Sequence, residues 1–427
     1  MYVYINQMNK EQEAFLKLAY EGHNIFLTGA GGTGKSYIIH HLVEEYIKRG
    51  VKYGLTAMTG CAALLLGNAR TLHSWACVGL GKDSIDKLVV SITNSRKSKQ
   101  RWISAEVLII DEVSMMDVDF FEKLDAIGRI IRKKDKPFGG LQVIFVGDFF
   151  QLPPVDNRIN KFIFETSLWS KIGFKIVELK EVIRQKDPIF HKILNEARFG
   201  ELSKESVELL KQRMGLPWKK LEIKPTLLFP QKSIVKDVNT QNLAKLPEPH
   251  KTYKVETSCP LKRGEDLERA IEKAIRNASY DEELILKVGA QVMLLINKDI
   301  ERNLINGSRG IVTGFTDKSI PLVKFNNSNE PIPIDYYIWE IEDTEGMTQK
   351  QIPLKLAYAL TVHKAQGATL DSALIDISQN IFECGQAYVA LSRVKSLESL
   401  YVWDINPNAF KAHPKVKKFY EGLRALS

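Results

Sequence analysis

Eight consecutive residues, Gly29-Ala30-Gly31-Gly32-Thr33-Gly34-Lys35-Ser36, carry the clearest chemistry in the sequence and match GxxxxGK[ST] at every fixed position. Phosphate binding calls for this composition, because backbone N–H groups must converge on a compact anion through dihedrals that side chains obstruct. Gly29, Gly31, Gly32, Thr33 and Gly34 shape the cradle. Lys35 brings charge to the β- and γ-phosphates, and Ser36 offers a hydroxyl to Mg2+. Farther along, Asp111-Glu112 follows the apolar run Val107–Ile110. A strand there delivers Asp111 to the metal, and Glu112 can polarise an attacking water. Gln151, within Gly147-Asp148-Phe149-Phe150-Gln151-Leu152-Pro153-Pro154, follows a further apolar run, Leu141–Val146. Its amide can sense a γ-phosphate and reorient when that group leaves. ATP and Mg2+ are the ligands these residues imply.

Such groups need rigid supports. Asn24–Leu27 reads as a strand, Lys35–Arg49 as a helix, and Val107–Ile110 and Leu141–Val146 as buried strands, the alternation of a parallel sheet covered by helices. Gly79–Arg101 is polar and basic and ends in Asn94-Ser95-Arg96-Lys97-Ser98-Lys99-Gln100-Arg101. It reads as a small insertion above the sheet, either functional or a solvated loop or helix pair. A second alternating region starts at Thr226–Pro230 and resumes at Leu356–Leu360, Ala373–Ile377 and Leu400–Trp403. Between these, Gly310–Ile352 is rich in β-branched and aromatic residues, with turn signals at Asn306-Gly307, Asp317-Lys318 and Asn326-Asn327, so a small β-barrel inserted into a second α/β domain is expected.

Composition narrows the class. The 427 residues suffice for two or three domains. Hydrophobic residues at 44% and charged residues at 26% permit large buried cores. A net charge of +9 suits a polyanionic partner. Cys61, Cys77, Cys259 and Cys384 lie far apart without a CxxC pair, which argues against a zinc ribbon, an iron–sulfur cluster or a disulfide framework. No apolar run approaches the ~20 residues that cross a bilayer, and Met1–Lys10 lacks a signal-peptide pattern. A soluble intracellular protein without a membrane partner is expected.

In order along the chain, Glu11-Gln12, the phosphate loop, Leu55-Thr56-Ala57-Met58-Thr59-Gly60-Cys61-Ala62-Ala63, Thr71-Leu72-His73-Ser74 and Ile110-Asp111-Glu112-Val113-Ser114-Met115 resemble successive motifs of Pif1-like superfamily 1B DNA helicases. So do Gly147–Val155, Val182-Ile183-Arg184-Gln185, Val288-Gly289-Ala290-Gln291-Val292-Met293, Leu360-Thr361-Val362-His363-Lys364-Ala365-Gln366-Gly367 and Ala387-Tyr388-Val389-Ala390-Leu391-Ser392-Arg393. Ser114 to Arg132 looks like the signature that separates Pif1 from its relatives. The resemblance spans residues 8 to 403. It departs from the usual pattern at Met58, where proline is common, and at Cys61, where an aliphatic residue is common. The long extensions of some eukaryotic members are missing, which suggests a minimal bacterial or viral form.

The resemblance implies two RecA-like P-loop domains with small accessory insertions: residues 1–78 and 105–188 as the first, 79–104 as a wedge-type insertion, 189–305 and 353–427 as the second, and 306–352 as an SH3-like β-rich insertion. It implies that Gln12 reads adenine, that Gln151 senses the γ-phosphate, that Gly367 lies at the nucleotide, and that Arg184 and Arg393 reach the γ-phosphate. Thr56, Thr59, His73, Ser74, Phe138, Gly139, Thr361 and His363 are the implied contacts to single-stranded DNA, through hydroxyls, amides and ring stacking. Trp102 or an apolar neighbour is expected at the duplex junction. The implied activity is ATP-driven 5′-to-3′ movement by a monomer on single strands and junctions, opening duplexes, hybrids or G-quadruplexes in repair and recombination. The location would be cytoplasmic in a bacterial or viral setting, nuclear or mitochondrial in a eukaryote. A recombination-complex helicase subunit shares most motifs but usually carries an extra N-terminal domain, for which no room precedes Met8. A nucleotide-dependent switch or clamp loader would lack His363–Gly367 with Arg393, and a pure single-strand binding module would not need Asp111 or Glu112.

Overall fold

The computed structural model describes residues 8–425 except 68, 80, 155–160, 184–186, 222, 248, 261–262, 300–301, 303, 327 and 342–345. The chain divides into two compact units. One holds residues up to 203 together with 383–392 and 410 onward; the other holds 204–382 and 393–409.

The first unit is built on six parallel strands, β1 (Ile25–Gly29), β2 (Tyr53–Ala57), β3 (Arg70–Thr71), β4 (Val107–Asp111), β5 (Gln142–Val146) and β6 (Lys175–Leu179), in the order β3-β2-β4-β5-β1-β6. Strands β1, β4 and β5 read as unbroken apolar runs because both faces are covered, yet alternate residues still part company. Phe26, Leu108, Ile110 and Phe145 join a core with Phe121, Phe138, Phe149 and Trp169. Ile25, Leu27, Ile109, Ile144 and Val146 join Phe15, Ile38, Ile39 and Leu42 on the other face. The helix Lys35–Arg49 has the bounds expected from sequence and stops at Gly50, whose φ of 69° gives the left-handed cap.

Residues 79–104 form a helix pair, Ile85–Asn94 and Arg96–Ser104, on the helix Val118–Arg132. Leu88, Ile92 and Trp102 belong to the aromatic core of the sheet, so the segment is part of this unit's packing. Trp102 is fully buried, its ring centroid is 5.0 Å from that of Trp75, and its Nε1 donates to Ala76 O at 3.1 Å. The expectation of Trp102 at a duplex junction is therefore corrected: a ring held on all sides cannot stack on a base pair. Val90 and Ile103 are the exposed apolar residues of the pair, at 57% and 44%.

Two other boundaries differ from the sequence reading. The helix Pro188–Phe199 belongs to the first unit and buries Phe190, Ile193, Leu194 and Ala197. The helix Pro414–Ala425 returns to the same unit, where Phe419 stacks on Phe164 at 4.2 Å and Tyr420 packs on Phe150 at 4.9 Å. Chain order alone suggested the second domain for both, but their aromatic stripes complete the first core.

The second unit has a four-stranded parallel sheet in the order Ala359–Thr361, Thr226–Phe229, Ala373–Ile377, Leu400–Ile405. The expected strand Leu356–Leu360 is divided: Leu354–Leu356 pairs antiparallel with Gln291–Leu294, and Ala359–Thr361 enters the parallel sheet. The β-rich region is larger than 306–352. Its antiparallel strands begin at His250 and end at Leu356, with the helix Glu265–Asn277 among them. Arg309, 1% exposed, anchors it: Nη1 donates to Lys224 O at 2.8 Å and Thr226 Oγ1 at 3.2 Å, and Nη2 to Ser372 Oγ at 2.9 Å. Among the described residues, no helix is long and apolar enough to cross a membrane.

Candidate nucleotide site and nucleic-acid contacts

Open parallel sheets bind ligands beyond the carboxyl ends of their strands. β5 lies between β4 and β1, so three neighbouring ends carry the phosphate loop, Asp111-Glu112 and Gly147-Asp148. Gly29 has φ 145°, and a Cβ there would lie 2.5 Å from Leu179 O, so only glycine fits where the loop leaves the sheet. Gly34, at φ 85°, starts the helix Lys35–Arg49, whose amino end and dipole face the loop. Lys35 Nζ donates to Gly29 O at 2.7 Å and Ala30 O at 2.9 Å, and Thr33 Oγ1 to Ala30 O at 2.9 Å. Ser36 is exposed in the first turn of the helix.

The acidic pair is held by a strained turn. Glu112 adopts φ 56° and ψ 40°, a left-handed geometry uncommon for a side-chain-bearing residue, and its N–H donates to Asp111 Oδ1 at 2.8 Å. Both carboxylates are 8% exposed. Burial pushes the Asp111 pKa up to about 7, the Glu112 charge adds to the rise, and the Glu112 amide and Lys35 oppose it. Burial lowers the Lys35 pKa, while Asp148, then Glu112 and Asp111, hold it up.

Asp148 is fully buried but already satisfied. It accepts Nε and Nη2 of Arg198 at 2.9 Å each, the Phe150 amide at 3.2 Å, and the hydroxyls of Tyr388 and Tyr420 at 3.4 Å. That leaves Asp111, with the Ser36 hydroxyl, as the donor set suited to Mg2+, a hard cation that takes one or two carboxylates. Among the described residues, the buried amide atoms without a protein partner include Gln12 Nε2 and Gln151 Oε1. Gln12 Oε1 accepts the Asn9 amide in a capping box, and its Nε2 would lie 3.5 Å from a Cβ on Gly34. Buried polar atoms are seldom left unpaired, so orphans beside a phosphate loop fit a nucleotide.

Arg184 lies outside the described residues. Arg393, 2% exposed in the second unit, donates Nη1 to Ala365 O and Ala368 O, both at 3.2 Å, around Gly367, which has φ 81°. Sequence reasoning missed Arg198, Tyr388 as a hydroxyl donor, and Tyr420. Tyr388 stands in a recognised motif, whereas Arg198 and Tyr420 carry no local signal.

The implied strand contacts divide. Thr56 is fully buried and donates its hydroxyl to Ile109 O at 2.7 Å. Phe138 is fully buried against Phe121 and Phe145, its N–H bonded to Asp125 Oδ1 at 2.7 Å. Gly139 is buried, donates to Lys136 O at 2.8 Å and accepts Arg132 Nε at 2.8 Å. These three are corrected to structural roles, since their hydroxyl, ring and amides are engaged inside the protein. Thr59 and Thr361 cap helices, accepting Ala62 N and Lys364 N at 3.2 Å each. Ser74 donates its N–H to Thr71 Oγ1, and the partly exposed His73 stacks one ring face on Phe120 at 4.2 Å. His363 is partly exposed, and burial, then the charge of Lys232, lowers its pKa. The Lys364 pKa is lowered first by Lys355, which itself pairs with Asp281 at 3.1 Å, and Lys232 acts on both His363 and Lys364, a basic neighbourhood that the motifs did not flag.

A family model described as PIF1-like helicase matches residues 7–206, and one described as DNA helicase Pif1, 2B domain, matches residues 277–315. The ATP-dependent DNA helicase PIF1 of Xenopus laevis is 37% identical over 98% of this chain and 65% of its own length. The chain spans 63–65% of the length of the vertebrate PIF1 helicases from Xenopus, rat, mouse and zebrafish. A crystal structure of Pif1 helicase from Candida albicans superposes with a TM-score of 0.83 at 34% identity, covering 98% of this chain and 99% of that one. A Bacteroides Pif1 helicase in complex with ADP-AlF3 and ssDNA gives 0.71 at 28% identity over 98% of each chain. With its two parallel sheets and antiparallel insertion, the chain belongs to the Pif1-like helicase family.

Proposed function

We propose that this chain is an ATP-dependent DNA helicase that moves 5′-to-3′ along single-stranded DNA and opens duplexes ahead of it. The observation that carries the reading is the grouping of Lys35 with the buried Asp111 and Glu112 at adjoining strand ends, with the unpartnered Nε2 of Gln12 beside the loop. A binding module needs no such acidic pair. Lys35 and the loop amides hold the triphosphate, Gln12 takes the base, and Glu112 removes the proton from the attacking water. Ser36 and Asp111 would hold Mg2+, which when bound neutralises phosphate charge. Asp111 must release its proton to take part. Gln151, Arg184 and Arg393 respond to the γ-phosphate, so hydrolysis changes the contacts each of them makes. Thr59, His73, Ser74, Thr361 and His363, with the nearby lysines, supply the grip on the strand. The exposed Val90 and Ile103 are the apolar residues available to a duplex edge. One base-pair step costs about 1.4 kcal/mol, which a single ATP turnover can meet.

The test is strand separation on duplexes carrying a 5′ or a 3′ tail, alongside ATPase with and without single-stranded DNA. Stimulated turnover and opening of the 5′-tailed duplex are expected. Opening that required a 3′ tail would overturn the polarity, and ATPase unmoved by DNA would overturn the motor.

A further inference from the structure

The segment 383–392 packs in the first unit, far in sequence from the phosphate loop, Asp111-Glu112 and Gln151. It docks tightly: Gly385 has φ 76°, and a Cβ there would lie 2.4 Å from Phe150 O and 2.7 Å from Gln151 O, on the turn that carries Gln151. From the short helix Gln386–Leu391, Tyr388 reaches the phosphate loop, where its hydroxyl accepts the Gly31 N–H at 2.8 Å. The same hydroxyl lies 3.4 Å from Asp148 Oδ2. A carboxylate only accepts, so Tyr388 must donate to Asp148, which turns its oxygen lone pairs toward Gly31. Asp148 is in turn fixed by the paired donors of Arg198, both at 2.9 Å, in a pair with 0% and 4% of side-chain surface exposed. Arg198 has a second effect. Asp148 is the largest charge holding up the Lys35 pKa, so an unneutralised Asp148 would compete with phosphate for Lys35.

We propose that Tyr388 is a positioning residue for the nucleotide phosphates, acting through Gly31, with Asp148 and Arg198 holding its hydroxyl in place. The inference rests on the nucleotide reading above and adds residues that the loop motif does not contain. Tyr388 does not touch the reacting atoms. It sets the geometry of the loop and registers the Gln151 turn to it through one short helix.

The test uses the whole chain as Tyr388→Phe, Arg198→Lys and Tyr46→Phe. The last removes a buried hydroxyl that donates to Ala19 O, away from the loop. Fluorescent ADP gives Kd, single-strand-stimulated turnover gives KM and kcat for ATP, and thermal melting reports folding. Tyr388→Phe should raise Kd and KM about 3- to 10-fold, the worth of one net hydrogen bond, with kcat nearly unchanged. Arg198→Lys keeps the charge but loses the fork, and should raise KM in the same sense. Tyr46→Phe should leave Kd at the wild-type value. Wild-type Kd and KM in Tyr388→Phe, or an equal rise in Tyr46→Phe, overturns the inference. Should Tyr388→Phe melt below the assay temperature, an unchanged KM in Arg198→Lys does the same. Wild-type protein that binds no ADP overturns the nucleotide reading itself, which separates the two failures.

Discussion

Trp102 separates a core role from a strand-separating one. The side chain has no exposed surface, packs against Trp75 and bonds Ala76 O through Nε1. Trp102→Ala would empty that volume at a cost of about 3–5 kcal/mol, the usual range for large aromatic truncations in cores. It would also leave the Ala76 carbonyl without its indole donor, worth about 1 kcal/mol. For a unit of this size each kcal/mol lowers Tm by about 2–4 °C, so a fall of about 8–24 °C is expected. Neighbouring Ile103 and Val90 are exposed, and changing either to Ser should alter stability by less than about 0.5 kcal/mol. The assay pairs urea denaturation with unwinding and single-strand-stimulated ATPase for all three variants. Trp102→Ala should lose stability and both activities together, whereas Ile103→Ser and Val90→Ser should lose unwinding preferentially. A Trp102→Ala protein of wild-type stability that had lost unwinding alone would refute the core assignment.

Other outcomes follow from the same geometry. Glu112→Gln should bind ADP normally yet hydrolyse ATP more slowly by a factor of about 10² or more, measured by phosphate release; Lys35→Ala should weaken binding itself. Because the folded pKa of Asp111 is raised to about 7, its stabilising contribution is full below the unfolded carboxylate range and is lost as pH rises through 7. Asp111→Asn should therefore raise Tm at pH 8 and change it little near pH 4, as melting curves across that range would show, while abolishing Mg2+-dependent turnover. Gly139→Ala meets φ 62° and a Cβ 2.3 Å from Gly128 O, so a loss of more than about 2 kcal/mol is expected in urea titrations, and a neutral result would discard the clamped geometry of residues 137–140.

The nucleotide chemistry was legible in the sequence because it depends on local order. The glycines, Lys35 and Ser36 are adjacent in the chain, and Asp111 sits at the end of an apolar run. The helix Lys35–Arg49 was readable to the residue because Gly34 and Gly50 bracket it. What failed depended on tertiary packing. The types of Thr56 and Phe138 suggest nucleic-acid contact as readily as a hydroxyl bonded across strands or a ring in an aromatic core, and the partners that decide, Ile109 and Asp125, are remote in sequence. The β-rich insertion was placed too late because its first strands, His250–Lys254 and Glu256–Ser258, are polar and short. Arg198 was unreadable because nothing beside it marks a buried charge, and its partner Asp148 lies 50 residues away.

The return of the helix Pro414–Ala425 to the first unit bears on how the protein is made. The Thr28 and Tyr420 hydroxyls, 392 positions apart, lie 2.6 Å from each other behind the phosphate loop. Closure of so long a loop is an intrinsically slow contact to form. During synthesis at about 5–20 residues per second, the phosphate-loop unit would wait roughly 20–80 s after Thr28 is made before Tyr420 exists to seal it. Meanwhile Phe26, Phe149 and Trp169 lack the Phe419 ring that packs against them. A ribosome-bound or truncated 1–203 fragment would thus show an open aromatic face, making it a natural client for chaperones and a poor unit for separate expression.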